Sequence, residues 1–92
     1  MTATIIKSGT TTANTVATVT FATYYPKVEV VNRGSTELWL RTDGVNPTIG
    51  GDDCEVIPAA SFKDTIINYT VTNTEVRLIS SSAVAYTVEG IN

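Results

Sequence analysis

Four carboxylates crowd one short stretch of this chain: Asp43, Asp52, Asp53 and Glu55 lie in or beside the run DGVNPTIGGDD. Closely spaced carboxylates with backbone oxygens form the ligand set of a hard cation such as Ca²⁺. The spacing does not follow an EF-hand loop, and aspartate beside glycine is also what a turn demands, because its side chain hydrogen-bonds the nearby backbone. Solvated turn carboxylates are the first reading, and no metal ligand is assigned. Catalytic groups are scarcer still. The chain has no histidine, which removes the commonest general base and the commonest transition-metal ligand together. The single cysteine, Cys54, has no imidazole to activate it and reads as a small hydrophobe in a strand. No glycine-rich phosphate loop opens a helix. No catalytic residue and no cofactor is expected, so the chain does not read as an enzyme.

Recognition chemistry is better represented. Trp39 and Arg41 alternate with Leu38 and Leu40 in ELWLRT. With the leucines inward, Trp39 and Arg41 share the outer face, where such a pair suits an interface anchor. The opposite phase puts Trp39 in the core, and that placement is favoured because a sandwich core readily takes one large aromatic. Tyr24, Tyr25, Tyr69 and Tyr86 are of a type that stacks on sugars, but their spacing defines no shared platform and strand propensity accounts for them. Asn68-Tyr69-Thr70 matches a glycosylation sequon, which means little without a secretory leader.

The elements that must position these residues are short and β-rich. Threonine, valine and isoleucine are frequent, and β-branched side chains favour pleated strands. Residues 1–14 read as a first strand or an arm that orders on a partner, and residues 15–92 as the domain. Strands are expected at Val16–Tyr24, Lys27–Asn32, Glu37–Thr42, Cys54–Ile57, Phe62–Tyr69, Glu75–Ile79 and Val84–Glu89. Each alternates or is bounded by Gly, Pro, Asn or Ser. Short glycine- or serine-containing links predict two hairpins, one across Arg33-Gly34-Ser35-Thr36 and one across Ser80-Ser81-Ser82. Helix is limited to at most a single turn, near Pro58–Ser61. The whole reads as an all-β, single antiparallel sandwich or barrel, Ig-like or jelly-roll-like, of seven to eight strands.

Composition narrows the partners. The net charge is −3 and the pI near 4.6, and the six basic residues are scattered, so no run of cations could release phosphate counterions from nucleic acid. No apolar run approaches the roughly 20 residues that span a bilayer. The N-terminus lacks the basic and apolar regions of a secretory leader, so synthesis in a cytoplasm is expected. With one cysteine no intrachain disulfide staples the fold. A chain this short buries only about two-thirds of its unfolded surface, so association with a partner would help it.

Several pieces together resemble the small β-rich head-decoration, or minor capsid, proteins of tailed bacteriophages. They are Val30-Val31-Asn32-Arg33-Gly34-Ser35, Leu38-Trp39-Leu40-Arg41-Thr42-Asp43-Gly44, Asn46-Pro47-Thr48, Gly50-Gly51-Asp52-Asp53 and Val76-Arg77-Leu78-Ile79-Ser80. The resemblance implies a cement role on the virion surface, made in the bacterial host. A homo-oligomer, with a trimer favoured, would bridge subunits of the major capsid protein without binding nucleic acid or membrane. Trp39, Arg41, Arg33 and the N-terminal Thr2, Ile5 and Ile6 are the expected contact residues. The alternative is a carbohydrate- or receptor-binding sandwich on the head or tail, with or without calcium dependence.

Overall fold

The alternating runs become strands: β1 (Ala3–Thr10), β2 (Ala17–Phe21), β3 (Lys27–Asn32), β4 (Leu38–Arg41), β5 (Glu55–Ile57), β6 (Phe62–Ile67), β7 (Thr74–Ile79) and β8 (Ala85–Ile91). The computed structural model describes residues 3–91, with side chains from Ile5 onward. Two four-stranded antiparallel sheets form, ordered β1-β8-β3-β6 and β2-β7-β4-β5. Every connection changes sheet except β4 to β5, and this order is that of the eight-stranded jelly roll.

Alternation sets the core as expected. In β3, Val28 and Val30 are fully buried while Glu29 and Val31 face outward; in β7, Val76 and Leu78 are buried while Glu75 and Arg77 face outward. Leu38, Leu40, Phe21, Ile57 and Val88 complete the buried layer between the sheets. Tyr25 packs edge-on against Phe21, with ring centroids 6.0 Å apart and planes at 85°. Gly90 makes room for that ring, since a Cβ there would fall 2.5 Å from Tyr25 Cδ2.

Neither expected hairpin forms. β3 and β4 belong to different sheets, and so do β7 and β8. Each link is an arch that carries the chain from one sheet over the core to the other. The physical reason lies in the buried polar groups of the two links. Asn32, 1% exposed, accepts the Gly34 N–H at Oδ1 (2.9 Å) and donates from Nδ2 to the carbonyls of Thr36 (2.9 Å) and Ile57 (3.0 Å). Ser80 Oγ donates to the Glu37 carbonyl (2.8 Å), and the Ser82 and Thr36 hydroxyls lie 2.8 Å apart. The arches therefore stack on one another. Gly34 serves that stacking: a Cβ at this position would come within 2.9 Å of Val84 Cγ1. The one sequence-adjacent pair is β4 with β5, in which Trp39 meets Val56 around the long turn-rich loop.

Nor does the helical turn at Pro58–Ser61 form. Ala60 adopts a positive φ of 56°, and its N–H donates to the Gly34 carbonyl (3.1 Å), tying this turn to the first arch.

At the opposite end Asn68 plays the part that Asn32 plays at the first. Its Oδ1 accepts the Thr70 N–H (2.9 Å), and Nδ2 donates to the carbonyls of Tyr25 (2.8 Å) and Asn73 (2.9 Å). The sequon asparagine is thus a buried structural pin with its amide engaged. The two open seams of the sandwich each receive an inward lysine. Lys7 of β1 donates to the Thr20 carbonyl on β2 (2.9 Å) and lies over the Phe21 ring, while Lys63 of β6 pairs with Glu55 of β5. Inward charges on edge strands discourage edge-to-edge pairing with other chains. A register shift between β3 and β6 adds to this by disrupting the β6 ladder.

Candidate functional site

The outer face of the β2-β7-β4-β5 sheet gathers side chains that are far apart in sequence. Register places Trp39 directly between Val56 on β5 and Ile79 on β7. These three form an apolar row across neighbouring strands, with Val56 40% exposed and Trp39 and Ile79 half-buried. The next outward row sets Arg41 opposite Arg77, with Thr18 beyond it on β2. Like charges directly opposite on a sheet repel, and here each guanidinium has its own carboxylate. Arg41 Nε donates to Asp43 Oδ1 (3.1 Å), and Arg77 pairs with Glu75 and donates to Asn46 Oδ1 (2.8 Å).

Core residence of Trp39, favoured from sequence, is overturned. Leu38 and Leu40 are fully buried, so the intervening indole faces outward. Burying both leucines of this short strand fixes its phase, and the two-residue period then places the intervening indole on the outer face. Arg41 shares that face. Arg33 is exposed in the β3–β4 arch and is not part of the strand register that forms this row. Ile5 turns inward and packs against the core, which removes it from a contact surface, while Ile6 is 58% exposed on the other sheet. Thr2 lies outside the described residues. The expected contact residues are thus not one patch: Trp39 and Arg41 are brought together, and Arg33 and Ile6 are not with them.

A concavity opens beside β5. Because that strand begins only at Glu55, the sandwich below it is closed by the Thr42–Cys54 loop rather than by a strand, leaving a cleft of about 660 Å³. Asp43, Asp53, Glu55 and Tyr69 are among the residues that line it, with Leu40 and Ile66 buried beneath. The acidic residues do not converge as a metal site: among the described residues no group of three His, Cys, Asp or Glu side chains could hold an ion. Cys54 is half-buried and free, with Sγ 3.8 Å from the Thr48 carbonyl.

Two carboxylates make opposite pH contributions to stability. The hydrogen bond from Arg41 holds Asp43 below its ordinary value of 3.8. Its stabilisation is present above that value and is lost as pH falls through the lower folded-state pKa. On the other sheet Glu29 stands directly opposite Glu89 with Asp64 nearby. Partial desolvation first, then these two charges, raises Glu29 above its ordinary 4.5. The folded state therefore loses stability as pH rises from about 4.5 through that raised value. We expect Glu29→Gln to stabilise the protein at pH 7 with no gain at pH 3, and Asp43→Asn to destabilise it at pH 7. Urea midpoints across pH 2–7 check both; an Asp43→Asn midpoint unchanged at pH 7 would refute the pairing.

Val56, Ile79 and Arg77 were not singled out from sequence, although Ile79 and Arg77 occupy outward phases of an alternating strand. Their adjacency to Trp39 and Arg41 depends on β7 lying next to β4, which alternation does not encode. Among the described residues, no helix is long and apolar enough to cross a membrane. No family model, curated protein or solved structure matches the chain.

Proposed function

We propose that this chain is a non-enzymatic structural protein of a tailed-bacteriophage virion. It decorates the capsid and stabilises it by bridging major capsid protein subunits, as a homo-oligomer with a trimer favoured. The observation that best supports this reading is the Val56–Trp39–Ile79 row above the Arg41 and Arg77 pair, on a sheet face that leaves Val56 exposed. Aromatic and arginine side chains with an apolar centre are the composition of interface hot spots. A cement protein needs only modest affinity per contact, because many identical modules on a lattice act multivalently. Jelly rolls recur in viral capsid and lectin domains, so the fold accommodates this function without selecting it.

The test is binding of purified protein to expanded shells that lack it. Salt-resistant binding is expected, because the centre of the contact is apolar, and Trp39→Ala should weaken it by about 2 kcal/mol or more. The fold should survive, since the indole lies outside the core. Absence of binding, together with bare shells no more fragile to heat or chelator than decorated ones, would reject the reading. The carbohydrate-binding alternative is favoured by one observation only, the cleft beside β5.

A further inference from the structure

We propose that the cleft between β5, β6 and the Thr42–Cys54 loop binds a neutral saccharide, with one sugar ring stacked on Tyr69 and its hydroxyls hydrogen-bonded to Asp53, Arg41 and Lys63. The cleft opens at a seam between the sheets and the Trp39 row covers the outside of one sheet; Arg41 borders both, whereas Tyr69 belongs to the cleft and Trp39 to the outer face.

The volume, about 660 Å³, lies within the range of small-molecule sites. Such sites combine apolar surface with a few polar groups; here Asp53, Arg41 and Lys63 are the polar groups and the exposed Tyr69 ring is the apolar surface, with Leu40 and Ile66 buried beneath. Tyr69 is 65% exposed, yet its backbone is fixed. Its N–H donates to the Thr42 carbonyl (3.1 Å), the Thr70 hydroxyl donates to the same carbonyl (3.0 Å), and the preceding Asn68 is the buried pin. An exposed ring on an immobile backbone loses little conformational freedom when something stacks on it.

Charge selects the ligand class. Arg41 is balanced by Asp43 and Lys63 by Glu55, and among the described residues Asp53 is in no ion pair. A phosphate or other strong anion would meet three carboxylates against two cations. A purely apolar ligand would cover those charges without replacing their hydrogen bonds, at a desolvation cost. A polyhydroxylated ring answers both: its hydroxyls donate to carboxylates and accept from guanidinium and ammonium groups, while its C–H face lies on the tyrosine.

The experiment is an amide-resolved NMR titration of the full chain with glucose, galactose, mannose, N-acetylglucosamine and their common disaccharides. We expect saturable shifts at Asp53, Thr65 and Tyr69 with at least one of these, at roughly millimolar affinity. Tyr69→Ala and Asp53→Asn should each weaken that binding roughly tenfold or more while leaving the thermal midpoint in place. Asparagine suits the latter position because it tolerates the left-handed backbone (φ 62°) found there. Trp39→Ala should leave sugar binding unchanged, and Tyr69→Ala should leave shell binding unchanged, so the two proposals fail separately. Absence of saturable cleft shifts with every sugar, or binding indifferent to both cleft variants, would overturn the site.

Discussion

Replacing Asn32 with alanine should destabilise the protein by about 3–5 kcal/mol, because two backbone carbonyls and one N–H lose their partner in a buried setting where each unmade bond costs about 1–3 kcal/mol. The carbonyls are those of Thr36 and Ile57, and the N–H is that of Gly34. These bonds join the first arch to β5, so their loss frees the link between sheets and the strand beside it. A small domain is stable by only about 5–15 kcal/mol, so the variant should be partly unfolded at moderate temperature. Asn32→Asp is expected to do no better at pH 7 despite its shape. It replaces the donating amide with a charge facing two carbonyls, in a residue that is 1% exposed. Lowering the pH should recover part of that loss for Asp and none for Ala. Urea unfolding of the three proteins checks this, and a loss below about 1 kcal/mol in Asn32→Ala would mean the arch is held by packing alone.

Phe21→Ala should cost a similar amount, about 3–5 kcal/mol, through lost burial plus the cavity left behind. The ring is 1% exposed, meets Tyr25 edge-on, and is covered by the Lys7 ammonium 5.4 Å from its centroid. Alanine would remove the aromatic contact and leave Lys7 over an empty space at the β1–β2 seam. Phe62→Ala makes the natural comparison, since that ring is 63% exposed and its removal should change stability by about 0.5 kcal/mol at most. Thermal or urea midpoints of the two variants separate the cases. Equal losses would show that the core does not centre on Phe21.

Much of the fold was legible in the chain. The alternation of KVEVVN and TEVRLI predicts which side chains are buried, and the structure buries Val28, Val30, Val76 and Leu78 as that pattern requires. The hairpins were misread for a specific reason. Five residues containing a glycine or several serines suit either a turn back along the same sheet or an arch to the other one. The inward phase of the strands is the same in both. Asn32 and Ser80, polar residues at positions that become buried, are the local signs of an arch, but their meaning depends on the carbonyls they reach.

For the candidate surface the balance was less favourable. Trp39 and Arg41 were recognisable as an outward pair only in one of two phases, and the phase was decided by the complete burial of Leu38 and Leu40. Tyr69 was not set apart from the other tyrosines by sequence, because the loop that makes a cleft beside it lies well upstream and is joined to it at the Thr42 carbonyl.

The sequence by itself determined that this is a β protein without histidine or an intrachain disulfide, and which side chains of β3 and β7 share a face. Both follow from composition and from a two-residue period that each strand carries locally. Only the tertiary structure decided that the opening stretch of carboxylates is split between ion pairs and a cleft wall, and that Val56, Trp39 and Ile79 form one row. In a jelly roll nearly every hydrogen-bonded neighbour comes from a remote part of the chain. A side chain's direction is local physics, but its neighbours are set by which strands the buried polar groups at the arches bring together.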